Sequence, residues 1–477
     1  MTTFYVPLDR TSGVPLHRQI YDGCRRAILE GLLRPGQRVL STRALAQDLG
    51  VSRQPVLTAY DQLLHEGYLE GRTGSGTFVS AALPDDLLGC QIPQADRAPP
   101  PALRTRSSGR NADLLGPFRT SLPALDRFPH TVWSRLVARH AHALLPAQMA
   151  YGNAAGLLSL RLAIAEHLRT ARAVNCEAEQ ILIVSGSQAA LRLTAAVLLE
   201  RGQRVAVEDP CYPGARAALG AGGAKLAAVP VDEEGMCVSS LQKLGRKVRA
   251  AYVTPSHQYP LGISMSAARR FALLDWSFRQ DAWLVEDDYD SEYRYVSRPL
   301  GALQGMDTHE RVVYIGTFSK VLFPAVRMGY LVVPPSLRER FVQAREAFDL
   351  FSPTLYQLVL AEFLSEGHFV RHLRRMRGIY LERRNALLAG LARHCADHLT
   401  VYNADAGLHV AVLLSHGAND TEVAQRMAQR GLTVTALSTC YSGAGRRSGL
   451  LLGFGGSTER RLLRATRVLG EVLRDSA

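Results

Sequence analysis

One stretch of the chain lacks the apolar periodicity of a folded element and divides the sequence. Residues 81–112 are rich in Pro, Arg, Ser and Ala, and the three prolines at 99–101 favour a stiff, extended conformation. We interpret this stretch as a linker between an N-terminal domain (residues 1–80) and a C-terminal domain (residues 113–477). A chain of 477 residues is also long enough for two or more domains.

The composition excludes several classes of protein. A hydrophobic fraction of 47% and a charged fraction of 21% exclude wholesale disorder. No apolar run approaches the ~20 residues of a membrane-spanning helix, and the first residues do not resemble a signal peptide. Seven scattered cysteines predict reduced thiols, with no disulfide framework and no metal site. We therefore expect a cytoplasmic protein without membrane association.

The N-terminal domain has the pattern of a winged helix-turn-helix, an α+β fold. A second helix (TRALAQDLG) and a third (from Arg53 onward) follow Ser41 and Ser52, whose hydroxyls we expect to cap them. The stretch YLEGRTGSGTFV predicts two strands around a glycine-rich tip, the wing. The first helix is predicted to bury Leu16, Ile20, Cys24, Ala27 and Ile28.

The third helix is the element that we expect in the major groove of DNA. Arg43 on the second helix and Arg72 in the wing are candidates for phosphate contacts, and Gly74 lets the wing backbone approach DNA closely. A helical hairpin that binds another protein is the alternative. The side chains that can reach DNA from the third helix are Ser52, Arg53, Gln54 and Thr58.

The same segments resemble the DNA-binding domain of GntR-type bacterial repressors. The resemblance rests on PLHRQI, AILEGLLRPGQR, STRALAQDLGVSR and GYLEGRTGSGTFV, and it implies a double-stranded DNA operator as partner. Two positions depart from the family pattern, which usually has proline at Leu40 and threonine at Pro55. Both departures lie near the expected DNA contacts and can shift operator preference.

The C-terminal domain alternates apolar strands with helical stretches, which predicts an α/β fold with a mostly parallel sheet. Ligands of such folds bind at the carboxyl ends of the strands. Five segments contain an apolar strand that is followed by polar residues: ILIVSGSQAAL, RVAVEDPCYPG, AAYVTPSHQYPLG, AWLVEDDYDSEYRY and RVVYIGTFSKVLFPAVRMGY.

The last of these strand ends carries Lys320, one of only four lysines in the chain. A desolvated amine at a strand end has a lowered pKa and becomes a nucleophile toward an aldehyde. We expect the hydroxyls of Thr317 and Ser319 on one side of an extended segment, where they and Arg327 can hold a phosphate. An amine beside a phosphate site is what pyridoxal 5'-phosphate (PLP) requires. A surface lysine after a strand is the alternative.

Other strand ends add candidates for the same site. Ser187 and Gln188 open a helix whose N-terminus favours an anion. Asp287 can hold a pyridine nitrogen protonated, and Tyr289 can bond a ring oxygen. The acidic cluster around Asp287 also suits a solvated loop or magnesium. Two further candidates, Tyr212 as a stacking ring and Tyr151 before a helix, are by themselves as compatible with packing.

Together these motifs resemble the fold-type I PLP aminotransferases over residues 113–477, a fold with a smaller C-terminal subdomain. Joined to a GntR-type head, they resemble the MocR/GabR subfamily of GntR regulators. The resemblance implies that Lys320 binds PLP as a Schiff base, and that Tyr151 reaches the phosphate in the neighbouring subunit of a head-to-tail homodimer. It implies the other cofactor contacts as well: Asp287, Tyr289, Tyr212, Ser187, Gln188, His257, Thr317, Ser319 and Arg327.

Three positions depart from the aminotransferase pattern. Residues 258–262 (QYPLG) replace an N-P-x-G turn, and Leu451 stands where an arginine clamps the substrate carboxylate. Gly214 stands where GABA-responsive relatives have an arginine. Loss of a buried bidentate clamp removes roughly 2–5 kcal/mol of binding free energy.

These departures favour PLP itself as the effector of a transcriptional regulator. An amino-acid effector, an active aminotransferase tethered to DNA and a PLP-free scaffold are the alternatives. The operator, the regulated genes and the direction of regulation stay open.

Most of the net charge of +13 lies outside the N-terminal domain, which has nine arginines against seven acidic residues. A conspicuous basic segment is 369–388, with six arginines and one glutamate. A solvated or dimer-interface helix pair is one interpretation, and an auxiliary DNA-binding surface is the other.

Overall fold

The computed structural model describes residues 7–72, 74–84, 115–295, 301–415, 417–443 and 445–475. The chain divides into two compact units, Met1–Ser107 and Ser108–Ala477. Most of the predicted linker, from residue 85 onward, lies outside the described residues.

The N-terminal unit confirms the helix-turn-helix with a wing. Helices α1 (Leu16–Leu29), α2 (Thr42–Asp48) and α3 (Arg53–His65) precede strands β1 (Leu69–Arg72) and β2 (Gly76–Val79), which pair antiparallel. Ser41 caps α2 by accepting a hydrogen bond from the Ala44 N–H. Four of the five residues predicted for the apolar face of α1 are buried, and Leu16 is partly exposed.

The prediction that the Ser52 hydroxyl caps α3 is wrong. Ser52 occupies the N-cap position, but its hydroxyl accepts no capping hydrogen bond. The third residue of the helix, whose N–H is an ordinary partner of such a cap, is Pro55, which has no N–H.

The second unit confirms the predicted α/β fold around an eight-stranded sheet in the order β3-β10-β9-β8-β7-β4-β5-β6. Strand β10 runs antiparallel to β3 and β9, β6 runs antiparallel to β5, and the remaining neighbours are parallel. The strands are β3 (Ile181–Val184), β4 (Arg204–Asp209), β5 (Lys225–Asp232), β6 (Gly235–Met236), β7 (Val248–Val253), β8 (Trp283–Asp288), β9 (Val312–Thr317) and β10 (Gly329–Val332).

Helices cover both faces of this sheet, so its central strands are buried throughout, as in other doubly covered sheets. The helices of this part of the chain are α4 (His130–His142), α5 (Pro146–Met149), α6 (Leu158–Arg172), α7 (Ser187–Leu198), α8 (Pro213–Gly220), α9 (Val238–Lys243), α10 (Ala267–Gln280), α11 (Arg338–Asp349), α12 (Thr354–Ser365) and α13 (His368–His394).

A smaller C-terminal subdomain follows, as expected from the fold-type I resemblance. Its antiparallel sheet has the order β11-β12-β14-β13, and α14 (Asp420–Gln429) and α15 (Glu459–Arg474) pack beside it. One apolar core, which includes Ile183, Val410 and Leu469, joins the two sheets. The strands are β11 (Leu399–Asn403), β12 (His409–Leu414), β13 (Thr435–Ala436) and β14 (Gly449–Gly453).

The basic segment 369–388 lies in one helix, α13, and not in a helix pair. Five of its six arginines hold backbone carbonyls, acidic side chains or both; Arg374 has no partner among the described residues. No helix within the described ranges is long and apolar enough to cross a membrane.

Candidate functional sites

A cavity of about 250 Å³ opens at the carboxyl ends of the parallel strands. It brings together five residues that the sequence predicted and four that it did not. The predicted ones are Ser187, Tyr212, Asp287, Tyr289 and Lys320, and the others are Thr120, Ser121, Tyr252 and Tyr259.

Lys320 lies in a turn after β9, so the prediction of an extended segment is wrong. The chain turns because the Ser319 N–H donates a hydrogen bond to Oγ1 of Thr317, 3.2 Å away. Nζ of Lys320 donates to the backbone oxygen of Ser121 at 3.1 Å. Burial lowers the pKa of the Lys320 amine to about 8, although the carboxylates of Asp290 and Asp287 oppose this shift.

Asp287 presents one carboxylate oxygen without a partner. Its Oδ2 accepts a hydrogen bond from the Tyr252 hydroxyl at 2.8 Å, whereas Oδ1 is buried and unpaired among the described residues. Burial raises the pKa of this carboxyl to about 6. A buried, unpaired carboxylate oxygen in a cavity that also holds an amine fits a protonated pyridine nitrogen, so these residues fit PLP.

Tyr289 and His257 form a buried polar network beside the cavity. The Tyr289 hydroxyl lies 3.0 Å from Nδ1 of His257, and that nitrogen lies 2.9 Å from Oδ1 of Asp290. If Nδ1 donates to Asp290, the Tyr289 oxygen is an acceptor and its own proton stays available for a ligand oxygen. Asp290 was not predicted from the sequence, because a third carboxylate in DDYDSE has no distinguishing spacing.

Three of the predicted phosphate contacts, Ser187, Gln188 and Arg327, lie at or beside the start of α7. Ser187 is the first residue of that helix and follows Gly186, whose φ is 93°. The Arg327 guanidinium lies beside Gly186 and donates to the backbone oxygen of Ser185 at 2.7 Å. Gln188 Nε2 lies 3.4 Å from the Tyr212 hydroxyl. The free N–H groups at this helix end suit a phosphate.

Tyr151 is not among the residues that line the cavity of its own chain. Its side chain is 86% exposed and meets Phe351 edge to face.

The three departures from the aminotransferase pattern have structural consequences. Leu451 is buried in β14 within an apolar cluster that includes Tyr259 and Leu261. Gln258 does not line the cavity, and its amide donates to Glu208 and to two backbone carbonyls. At Gly214, an added Cβ would lie 2.5 Å from the Tyr212 ring and from Gln188 Nε2.

The predicted DNA-contacting residues lie together on the N-terminal unit. Ser52, Arg53, Gln54 and Thr58 are exposed along one side of α3, and Arg43 is exposed on α2. Arg53 Nε donates to the Thr42 hydroxyl at 3.2 Å. Arg72 is paired with Glu70 and covers the Phe78 ring, and Gly74 is exposed in the wing with φ 75°.

Two family models match the chain. Residues 16–79 match the gntR family of bacterial regulatory proteins, and residues 130–455 match aminotransferase class I and II. The N-terminal match belongs to regulators that bind DNA, and the C-terminal match supports PLP as the cofactor.

Relatives match both parts together. The probable rhizopine catabolism regulatory protein MocR of Rhizobium meliloti is 42% identical over 94% of this chain and 92% of its own. The pyridoxine biosynthesis transcriptional regulator PdxR of Corynebacterium glutamicum is 36% identical over 92% of each chain. A crystal structure of Pyrococcus horikoshii kynurenine aminotransferase in complex with PMP has a TM-score of 0.70 and 27% identity, over 75% of this chain and 90% of that one. The chain therefore belongs to the MocR/GabR subfamily of GntR-type, DNA-binding transcriptional regulators, whose C-terminal domain is of the aminotransferase class I and II family.

Proposed function

We propose that this regulator binds PLP through Lys320 and that PLP itself is the effector. The proposal depends on one combined observation. The cavity residues fit PLP, whereas position 451, where an arginine would bind a substrate carboxylate, is a leucine in an apolar cluster. A carboxylate-bearing amino acid would lack its usual guanidinium partner there. The PdxR relative is a transcriptional regulator of pyridoxine biosynthesis, which supports PLP as the effector here as well.

Different side chains hold different parts of the cofactor. When bound, PLP supplies an aldehyde to the Lys320 amine, whose lowered pKa favours its nucleophilic form. The free Oδ1 of Asp287 holds the pyridine proton, and Tyr289 donates to the ring oxygen. Tyr212 stacks on the ring, and His257 orients Tyr289. The phosphate is held by Ser187, Gln188, Thr317, Ser319 and Arg327.

Two copies form a homodimer in which Tyr151 of each chain reaches the phosphate held by the other. The 86% exposure of Tyr151 is compatible with this arrangement, because most of the ring is accessible to a second chain. Head-to-tail exchange of the N-terminal units places two copies of α3 on one operator.

The operator contacts follow from the exposed side of α3. Arg53 and Gln54 read base edges, Ser52 and Thr58 lie beside them, and Arg43 contacts phosphate. The wing contributes Arg72 and Gly74.

The test compares operator binding by three forms of the full-length protein: without PLP, with PLP, and with PLP plus single amino acids. The operator is first selected from a random duplex library, and all titrations use one stated salt concentration. We expect PLP alone to change affinity in the wild type and not in Lys320→Ala. A response that requires an amino acid and shifts the absorbance of the bound cofactor would overturn PLP as effector. Rapid half-transamination would support an active aminotransferase instead.

A further inference from the structure

A second, larger cavity of about 670 Å³ adjoins the cofactor cavity. The two share Thr120, Ser121 and Lys320. Its volume is in the range of small-molecule sites, which is about 300–1,000 Å³. It is lined by His130 and Trp133 of α4, and none of the predicted phosphate contacts lines it.

One wall of this cavity is apolar and largely aromatic. Phe128, Trp133 and Phe323 meet one another edge to face at centroid distances of 4.8–5.6 Å. Phe128 and Trp133 are buried. The remaining apolar lining residues are Leu115, Leu122, Leu125, Pro324 and Ala325.

Arg119 adds a charged group to the lining of this cavity. Its side chain is half-buried, lines the cavity, and makes no hydrogen bond or ion pair with any residue that the structure describes. The described lining residues include no aspartate or glutamate. Arg119 therefore gives the cavity a positive charge that no carboxylate among the described lining residues neutralises.

The backbone holds Arg119 firmly in this position. Gly453 on β14 pairs with Phe118, and an added Cβ at Gly453 would lie 2.0 Å from the Arg119 backbone oxygen. Phe118 and Ser121, which flank Arg119 closely, have positive φ values of 69° and 66°. Non-glycine residues in this region are strained, and such strain clusters at ligand sites.

We infer that this cavity binds an amphipathic monocarboxylate, whose carboxylate pairs with Arg119 and whose aromatic or branched apolar body packs against Phe128 and Trp133. Such a ligand needs no amine and no covalent bond to the cofactor. This inference extends the proposed function. It rests on that function only for the assignment of PLP to the adjoining cavity.

The test uses 3-phenylpropionate and its uncharged amide as probes, titrated into full-length, PLP-loaded protein by calorimetry. The acid should bind about 10- to 100-fold more tightly than the amide, which is the range for a charge-assisted hydrogen bond. Arg119→Gln should remove this difference by weakening the acid alone. The matched control is Arg135→Gln, which removes an exposed arginine of α4 that does not line the cavity.

Trp133 reports the location of binding. The acid should change tryptophan fluorescence in the wild type, and Trp133→Phe should lose this change while it still binds the acid by calorimetry. Equal affinity for acid and amide, equal effects of the two arginine substitutions, or no saturable binding would each overturn the inference. Acid binding to a protein that fails to take up PLP would overturn the proposed function and leave this site supported.

Discussion

The Tyr252 hydroxyl donates a 2.8 Å hydrogen bond to Oδ2 of Asp287 and leaves Oδ1 as the one unpaired oxygen of that carboxylate among the described residues. The bond favours the charged carboxylate against the effect of burial. Tyr252→Phe should therefore weaken PLP binding roughly 10- to 100-fold, since a hydrogen bond to a charged group contributes about 1.5–3 kcal/mol. Equilibrium titration with PLP, followed by absorbance, measures the change.

Tyr314 offers a matched control for this substitution. It is also a buried strand tyrosine, and its hydroxyl donates to Oδ2 of Asp288 at 2.6 Å. Asp288 pairs with Arg172 and does not line the cofactor cavity. Tyr314→Phe should lower thermal stability without changing PLP affinity, and an equal loss of affinity in both variants would contradict a specific role for Tyr252.

The Lys320 amine should make the rate of PLP attachment depend on pH. Its pKa of about 8 lies below the ordinary 10.5 because burial disfavours the charged form. The neutral amine is the nucleophile, so the rate should rise roughly tenfold per pH unit below about 8 and level off above it. Stopped-flow absorbance measures this rate. A rate that keeps rising to about pH 10 would show an unperturbed amine.

The sequence predicted the elements whose signal is local. Apolar strands that end in polar residues located Ser187, Tyr212, Asp287, Tyr289 and Lys320, because parallel strands bring their carboxyl ends to one edge. The periodicity of α1 likewise predicted most of its buried face.

Contacts between distant segments could not be predicted in this way. Thr120 and Ser121 reach the cavity only because segment 118–122 packs against Gly453 and Gly455 in the C-terminal part of the chain. Tyr252 lies in a strand whose last four residues are all buried, so alternation carries no signal about which face meets a ligand. The cap expected at Ser52 is missing, and the third residue of that helix is Pro55, which has no N–H to donate to it.

Restoring an arginine at position 451 should destabilise the protein and not restore recognition of a carboxylate. Leu451 is fully buried in an apolar cluster, so Leu451→Arg places a charge where the described neighbours offer no partner. The expected loss is about 3–5 kcal/mol in the free energy of unfolding. Thermal unfolding measures it, with Leu451→Met as the volume-conserving control at about 1 kcal/mol or less. A stable Leu451→Arg variant that responds to amino acids would contradict the prediction.

Substitutions on α2 and α3 should separate affinity from specificity. Arg43→Ala should weaken binding to all duplexes alike and reduce the slope of log affinity against log salt by about one, as expected for a lost phosphate contact. Gln54→Ala should instead change which sequences are enriched from a random duplex library, with the slope unchanged. Identical enriched sequences for wild type and Gln54→Ala would exclude base readout by Gln54.

The arginines of helix α13 should contribute mainly to stability, and substitutions of Arg383 and Arg374 test this. Arg383 is 1% exposed and its guanidinium donates to Asp126 and to the backbone oxygen of Gly455, whereas Arg374 is exposed and without a partner among the described residues. Arg383→Met should lower the free energy of unfolding by about 2–4 kcal/mol, because it leaves those oxygens unpaired.

Arg374→Met should change stability by less than about 0.5 kcal/mol. Operator affinity and its salt slope for Arg374→Glu, measured beside stability, decide between the two interpretations of this helix. A packing role predicts no change in either quantity, since the reversed charge lies outside any DNA contact. A large loss of affinity with a shallower slope would instead identify α13 as an auxiliary DNA-binding surface.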